Sequence, residues 1–525
     1  KESASSRALS AWEKSLECFK TEKGVIVLMK LKARLFDIHQ GQNEVVLNEE
    51  QAKELSIHLL DRVKLSANNK TSIAIADSSR AMVKHGEIGV FAEVAAQLNL
   101  RKGQAVKVEA THRPQSLDYI RKKLDGEILK ENEINSIITD LMAERLSTAE
   151  LSAFISGVYT RGMTAEETVA LTKAIYASGG SLKLKSKPVV SEHSIGGVAG
   201  DRISMLIVPI IGSLGICIPK TCSRAISTMC ATADVMEVLC PVDLDLKAAQ
   251  KAVNKTNAIL IWGGAVNMAA ADDKLIHIRK PLHLDPKALL LSSILAKKKA
   301  EGAEFVLLDL PIRGVKLDSL EQARELAKNF EAIGRMLGMR VQCSITDGSE
   351  PLINTIGPVF EARAVLETLK GGGHPALKEK ACVMSGILLS MIRGVTHDEG
   401  YRIARQQIES GKALKKFREI IKVQGGNPNV EPEDLKPGKY KKTIHADKGG
   451  RIGHVDNKSI SRVGRAAGSP TDQGAGIVLE VMKGDRVKKG DALLTVYSNN
   501  KDKLERAFNQ VKGVIEIERV VIDVV

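Results

Sequence analysis

The sequence predicts a multidomain α/β protein: a small N-terminal β-rich domain, a helical domain, a large mainly parallel α/β domain and a C-terminal α+β domain. Three observations carry that expectation. Hydrophobic periodicity turns helical at Ser116, residues 186–425 alternate apolar runs with amphipathic stretches, and a Gly- and Pro-rich segment from Gly425 to Pro437 sets off the last part of the chain. The expected boundaries are 1–112, 113–182 (with a contribution from about 278–300), 183–425 and 426–525.

Between residues 24 and 110 the β-rich segments are Val25 to Leu31, Glu44 to Leu47, Ser72 to Ala76 and Ala105 to Val108. Gly86 and Gly89 punctuate them and Glu93 to Leu98 reads as helix, which suggests a small barrel-like accessory domain. Ile134, Ile137, Ile138, Leu141 and Met142 then keep the spacing of one helical face, and Leu151, Phe154, Ile155, Val158 and Tyr159 repeat it. Thr164 and Glu167 form a capping box that opens a third helix through Leu171 and Ile175. These stripes are expected in the core. Phe305 to Leu310 and Val341 to Ile345 read as buried strands flanking a long amphipathic helix, Leu320 to Leu337. Such alternation argues for a parallel sheet, and ligands of such sheets gather at the carboxyl ends of the strands.

At 525 residues the chain is long enough for about three or four domains. Its 43% apolar and 27% charged content is that of a soluble globular protein, and no apolar run is long enough to cross a bilayer. A net charge of +14 favours anionic partners. Aromatics at 3% leave few stacking platforms, and the lysines are scattered, so a small phosphorylated substrate is expected rather than nucleic acid. Seven cysteines without a C-x-x-C pair suit reduced, buried thiols and a cytoplasmic setting. Residues 1–20 hold three glutamates and no apolar stretch, so no secretory signal is expected there.

The chemistry centres on Glu192 to Arg202, where Gly196, Gly197 and Gly200 stand beside His193, Ser194 and Asp201. Glycine lacks Cβ and tolerates positive φ, so such a loop can bring its amides close to an anion; a plain structural turn would use the same residues. The apolar run Ile203 to Val208 after it fits either a buried strand or the first turns of a buried helix. Four further clusters follow. They are Ser223 to Thr228 with Thr232; Trp262 to Asn267 with Asp272 and Asp273; Asp285, Ser293 and Lys297 around one helix; and Lys316 after a strand. Together they supply hydroxyl and cationic donors for phosphate and a carboxyl able to lend a proton.

In their order these segments resemble the thymidine/pyrimidine-nucleoside phosphorylase superfamily and, within it, the AMP phosphorylase branch. The resemblance rests on His193-Ser194-Ile195-Gly196-Gly197-Val198, Pro219-Lys220-Thr221, Ser223-Arg224-Ala225-Ile226 and Thr232-Ala233-Asp234 with Met236-Glu237-Val238-Leu239. Trp262-Gly263-Gly264-Ala265, Ser293-Ile294-Leu295 with Lys297-Lys298-Lys299, and Ile345-Thr346-Asp347-Gly348-Ser349 continue it. It implies phosphorolysis of AMP to adenine and ribose 1,5-bisphosphate, with CMP and UMP as further substrates. Phosphate is then a substrate and no cofactor or metal is required. A homodimer or larger homo-oligomer is also implied, with no membrane and no nucleic acid. By position, Gly197 and the run Ser223, Arg224, Ala225, Ile226, Ser227 and Thr228 hold nucleotide or phosphate. Ser204, Ser223, Thr232 and His193 face the attacking phosphate, Asp285 protonates the leaving base, Ser293 and Lys297 lie on the base side, and Lys316 completes the nucleotide site.

Three departures from the family pattern stand out. Glu192 occupies the place of a lysine that faces phosphate, and at about 4 Å and an effective dielectric near ~20 one such charge pair is worth about 4 kcal/mol. Either Glu192 turns away, or another cation compensates, or phosphate binding is impaired. Met229-Cys230-Ala231 replaces Pro-Ala-Gly before Thr232. The Lys316 loop is also shorter and poorer in glycine than the family's. The alternatives in view are a nucleoside phosphorylase and a divergent, inactive nucleotide-binding assembly protein. The last segment, with Gly474 to Leu479 and Val481 to Asp491, resembles the hammerhead of biotinyl and lipoyl domains, but Lys483 lacks the Met-Lys-Met setting. A barrel-sandwich without attached cofactor is expected.

Overall fold

A computed structural model describes residues 16–21, 24–225, 228–282, 284–314 and 316–518. The chain divides into two compact units. One runs to Ser178 and takes in Ala270–Leu290; the other holds Gly179–Ala269 and everything from Leu291 onward.

The first unit begins with seven strands: β1 (Leu16–Thr21), β2 (Gly24–Leu35), β3 (Glu44–Asn48), β4 (Arg62–Ala67), β5 (Lys70–Ser79), β6 (Glu87–Val90) and β7 (Ala105–Thr111). They lie in the order β1-β2-β6-β3-β5-β4-β7, and a further β2–β7 pairing closes a six-stranded barrel with β1 hung outside. Alternate residues point inward, as a period of two requires: Met29, Leu31 and Ala33 on β2, Val63 and Leu65 on β4, Val106 and Val108 on β7 are all buried. The barrel expectation is met in its strands, although β1, β4 and β6 were not anticipated.

Four helices follow: α1 (Ser116–Leu124), α2 (Glu131–Met142), α3 (Thr148–Arg161) and α4 (Ala165–Ala177). The expected stripes are buried except at Met142, which is half-buried, and at Tyr159. Tyr159 is 56% exposed, because at 100° per residue it lies about 80° from Leu151, on the rim of the α3 stripe. The capping box at α4 forms as expected: Thr164 Oγ1 accepts from the Glu167 amide at 3.2 Å, and Glu167 Oε2 accepts from the Thr164 amide at 2.8 Å. The other Glu167 oxygen accepts from Lys123 Nζ and from the Leu129 amide, both at 2.8 Å, with the ion pair fully buried. One carboxylate therefore starts α4 and ties it to α1 and to the entry of α2.

The second unit is built on five parallel strands: β8 (Val190–Ser194), β9 (Ile218–Cys222), β10 (Ala258–Trp262), β11 (Phe305–Ile312) and β12 (Arg340–Asp347). β12, β11 and β8 pair in that order, β9 pairs with β10, and the Val189–Cys217 bridge with the Val190 amide bonded to the Cys217 carbonyl at 2.8 Å joins the two parts. The edge at β10 is closed by Gln424, whose buried amide gives and takes one 2.9 Å bond with the Leu260 main chain. The run left open in the sequence is a helix, α5 (Ser204–Ser213), buried on every side from Met205 to Ile211. A helix apolar all round has no amphipathic period to reveal it. The described residues hold α6 (Thr232–Met236), α7 (Lys287–Ala300), which belongs here from Leu291, and α8 (Leu320–Met336).

The C-terminal part forms two antiparallel sheets. One orders β13 (Thr355–Ile356), β16 (Gly476–Leu479), β18 (Ala492–Ser498) and β14 (Tyr440–His445); the other orders β17 (Arg486–Val487), β15 (Gly450–Val455) and β19 (Ile515–Glu518). Helix α9 (Asn457–Ala467) joins them to the parallel sheet, since Ile460 and Val463 share one hydrophobic core with α5 and Met229. Among the described residues no helix is long and apolar enough to cross a membrane.

Replacing Glu167 with alanine strands the Lys123 ammonium and the Leu129 amide in the helical core. Urea unfolding should show a loss of about 3–5 kcal/mol, the range for breaking a buried pair from one side.

Candidate active site

All five strands of the sheet run the same way, so their carboxyl ends form one edge. The segments leaving that edge are Ile195–Arg202 after β8, Ser223–Ala231 after β9, Gly263 onward after β10, Arg313–Leu317 after β11 and Gly348–Glu350 after β12. Sequence reasoning had selected residues in each of them, and parallel topology is what brings them to one edge.

After β8 the chain turns through Gly196 and Gly197 at φ of +87° and +105°, a region closed to most side chains. Ser194 Oγ accepts from the Gly196 amide at 3.2 Å, and the Asp309 carbonyl on β11 accepts from the Ile195 amide at 3.0 Å. Ser204 then opens α5, nearly buried. Asp201 and Asp309 both pair with Lys380 Nζ at 2.8 Å, and Thr346 Oγ1 donates to Asp309 at 2.6 Å. Burial pushes the Asp309 carboxyl up against the pull of Lys380, and the two carboxylates outweigh burial in holding the lysine protonated. Lys380 was missed in the sequence because its partners lie 71 and 179 residues away.

Glu192, one residue before His193, is fully buried and pairs with Lys220 of β9 at 3.2 Å, while Lys220 Nζ donates to the Glu192 carbonyl at 2.6 Å. Lys220 thus neutralises the charge that this departure introduces. Burial alone would depress the Lys220 ammonium; Glu192, Cys222 and Glu301 overcome that and raise it. Beside this pair lies a second, Lys298 with Glu301 at 2.8 Å, whose carboxylate also accepts from Ser191 Oγ at 2.6 Å, from the Thr221 amide at 2.9 Å and from Thr221 Oγ1. Two cations and two anions thus alternate beneath β8 and β9.

His193 answers to that field. Its ring is half-buried, and desolvation, followed by the positive charges of Lys220, Lys298, Lys297 and Lys316, holds it well below the usual histidine range. It is a neutral imidazole at physiological pH and adds no charge of its own. The same dependence brings Lys297 of α7 and the exposed Lys316 into the electrostatic neighbourhood of His193. Ser293, buried, precedes Lys297 by one helical turn on the same face of α7.

The Ser223–Ala231 segment is organised by Asp234, whose Oδ2 accepts from the amides of Ala225 and Ala231 at 2.8 Å each. Ser223 is exposed, and Thr228 and Thr232 are half-buried; Ile226 and Ser227 lie outside the described residues. Arg224 is held by its own partners: Glu237 at 2.6 and 2.7 Å, Asp243 at 3.0 and 3.2 Å, and the Trp262 ring 4.9 Å beneath it. The hydrogen bonds to Glu237 raise the guanidinium further above its ordinary value.

The Met229-Cys230-Ala231 departure is also accommodated. Ala231 is extended at φ −124° and ψ 177°, which asks for no glycine. The buried Cys230 thiol donates to Glu361 Oε1 at 3.1 Å, and Glu361 pairs with Arg202 at 2.6 Å. Met229 lies against Gly464 of α9, where a Cβ would come within 2.3 Å of its methyl group. In the other compact unit, Asp285 stands half-open just before α7 and pairs with Arg279.

Three family models match the chain. They are the glycosyl transferase family helical bundle domain over residues 117–179, its a/b domain over 186–414, and the pyrimidine nucleoside phosphorylase C-terminal domain over 451–518. A curated AMP phosphorylase of Thermofilum pendens is 43% identical over 478 residues, 91% of this chain and 92% of that one. Another, of Pyrococcus furiosus, is 41% identical over 501 residues, covering 95% and 99%. The chain belongs to the AMP phosphorylase family. It is a pentosyltransferase of the glycosyl transferase class. Anthranilate phosphoribosyltransferase of Thermus thermophilus shares the fold at a TM-score of 0.50 and 19% identity, over 58% of this chain and 99% of that one. Within this chain the charge of Glu192 is met by a lysine buried one strand away.

Two expectations follow. Glu192→Lys sets two ammonium groups together in the sheet interior, so chemical denaturation should show a loss of about 3–5 kcal/mol, with Glu192→Gln milder. His193 is depressed when folded, so its contribution is present above its ordinary value of 6.5 and lost as pH falls below that. Urea midpoints taken from about pH 8 down to about pH 5 should fall less in His193→Asn than in the parent chain.

Proposed function

We propose that the protein catalyses phosphorolysis of AMP: inorganic phosphate attacks C1′, the C1′–N bond breaks with its electron pair going to the base, and adenine leaves with a proton. The products are adenine and ribose 1,5-bisphosphate. One observation carries the reading beyond family membership: four lysines surround a neutral His193 at the strand edge where Gly196 and Gly197 turn their backbone. Two of the lysines, Lys220 and Lys298, are matched by the buried carboxylates of Glu192 and Glu301, and Lys297 and Lys316 add the positive charge that favours a polyanion.

In this reading Gly197, His193, Ser204, Ser223 and Thr232 receive the attacking phosphate. The Ser223–Thr228 run and Lys316 hold the nucleotide, Ser293 and Lys297 lie on the base side, and Asp285 lends the proton. The protein positions the reactants and screens charge, while phosphate itself captures the oxocarbenium-like C1′. Phosphate is the nucleophile, so the reaction calls on no metal or organic cofactor. CMP and UMP are further substrates, the protein acts in the cytoplasm as a homodimer or larger assembly, and its C-terminal part is a barrel-sandwich whose Lys483 carries no attached group.

The purified protein, given phosphate with AMP, CMP, UMP, adenosine, uridine or thymidine, should release adenine from AMP only when phosphate is present. Base from uridine or thymidine, with none from AMP, overturns the nucleotide reading. Binding of AMP with no base from any substrate overturns the enzymatic one. Asp285→Asn should lower kcat by roughly 10²–10⁴-fold, the usual worth of general acid help. Lys316→Ala should raise KM for AMP and leave any adenosine turnover nearly unchanged; equal effects on both remove the 5′-phosphate role.

A further inference from the structure

The C-terminal helix α9 reaches three of the segments at the strand edge, although nothing in its sequence is chemical. Asn457, its first residue, is buried, and its side chain bridges two segments: Oδ1 accepts from the Ala199 amide at 2.9 Å, and Nδ2 donates to the Gly348 carbonyl at 3.1 Å. An amide N–H on one side and a carbonyl on the other leave the carboxamide only one satisfied orientation. The two segments are in direct contact there, since a Cβ on Gly348 would lie 3.1 Å from Val198. About two turns further along, Arg465 donates twice to the Thr228 carbonyl at 2.9 and 3.0 Å, Gly464 receives Met229, and Ser469 Oγ donates to the Met229 carbonyl at 3.1 Å. A separate tie holds the same corner: Glu350 accepts from His454 Nδ1 at 2.8 Å, from the Val455 amide at 2.9 Å and from Lys483 at 3.1 Å.

We propose that Asn457 is a positioning residue for phosphate. It fixes the glycine turn after β8 against Gly348, so that the turn's amides are already in place when the anion arrives. No other side chain among the described residues bonds both segments, and no apolar residue of that size could replace one donor and one acceptor at once. The inference rests on the phosphorolysis reading for its kinetic readout, and on phosphate binding alone for its second.

The test compares Asn457→Asp with Asp456→Ala. The first keeps an acceptor for Ala199 and loses the donor to Gly348. The second removes the side-chain cap of α9, where Asp456 accepts from the Ser459 amide at 2.7 Å, and touches neither segment. Asn457→Asp should raise KM for phosphate about tenfold, with KM for AMP changed less than about twofold, and should weaken calorimetric binding of inorganic phosphate by the same factor. Asp456→Ala should lower the melting temperature and leave both phosphate values in place. A parent protein that binds phosphate and releases no base sinks the functional reading, while the tenfold loss of phosphate affinity still upholds the role of Asn457. An unchanged phosphate KM and affinity in Asn457→Asp, or an equal weakening in Asp456→Ala, overturns it, as does a parent protein that neither binds nor uses phosphate.

Discussion

Two lysines and two glutamates buried under the carboxyl ends of β8 and β9 set the terms for everything above them. Lys220 and Lys298 cannot be carried into a sheet interior alone, because an unpaired buried charge costs several kcal/mol. Glu192 and Glu301 make that burial possible, and the hydroxyls of Ser191 and Thr221 with the Thr221 amide satisfy most of what remains of Glu301. Lys297, half-buried, and the exposed Lys316 add their positive charge to the field that acts on His193. Removing one partner would not simply delete a contact; it would leave a net charge in the floor on which the strand ends stand.

A neutral histidine among lysines is a consequence of that floor. Were His193 charged, it would add repulsion among the lysines near it, so the fold keeps it deprotonated. The same economy governs Arg224. Its charge is consumed by Glu237, Asp243 and the face of Trp262, and what it stabilises is the shape of the segment that follows β9.

How much of this could be read from the sequence depended on distance along the chain. The capping box at Thr164 and Glu167, the helical stripes and the glycine turn after β8 are local signals, and all three formed. The strand ends were found because parallel topology makes them converge whatever their separation. The run after Ile203 stayed ambiguous because a helix buried on all sides shows no period. The charge of Glu192 was legible as an anomaly, but its partner sits on the neighbouring strand, 28 residues on. Lys380 with Asp201, Cys230 with Glu361, and Asn457 with Ala199 are pairings across long stretches of chain that no motif announces. Tyr159 shows the opposite failure, where a regular spacing extended one residue too far.

The bond between Ala199 and Asn457 spans 258 residues, and this bears on how the protein is made. At about 5–20 residues per second, a ribosome delivers Asn457 roughly 10–50 s after Ala199. During that interval the parallel sheet and its glycine turn can already be outside the exit tunnel, yet the turn lacks the clasp that joins it to Gly348. A nascent chain is therefore folded in its centre before it is fit to hold an anion there. Vectorial synthesis gives this protein a built-in delay, and the domain that carries Asn457 is the one that ends it.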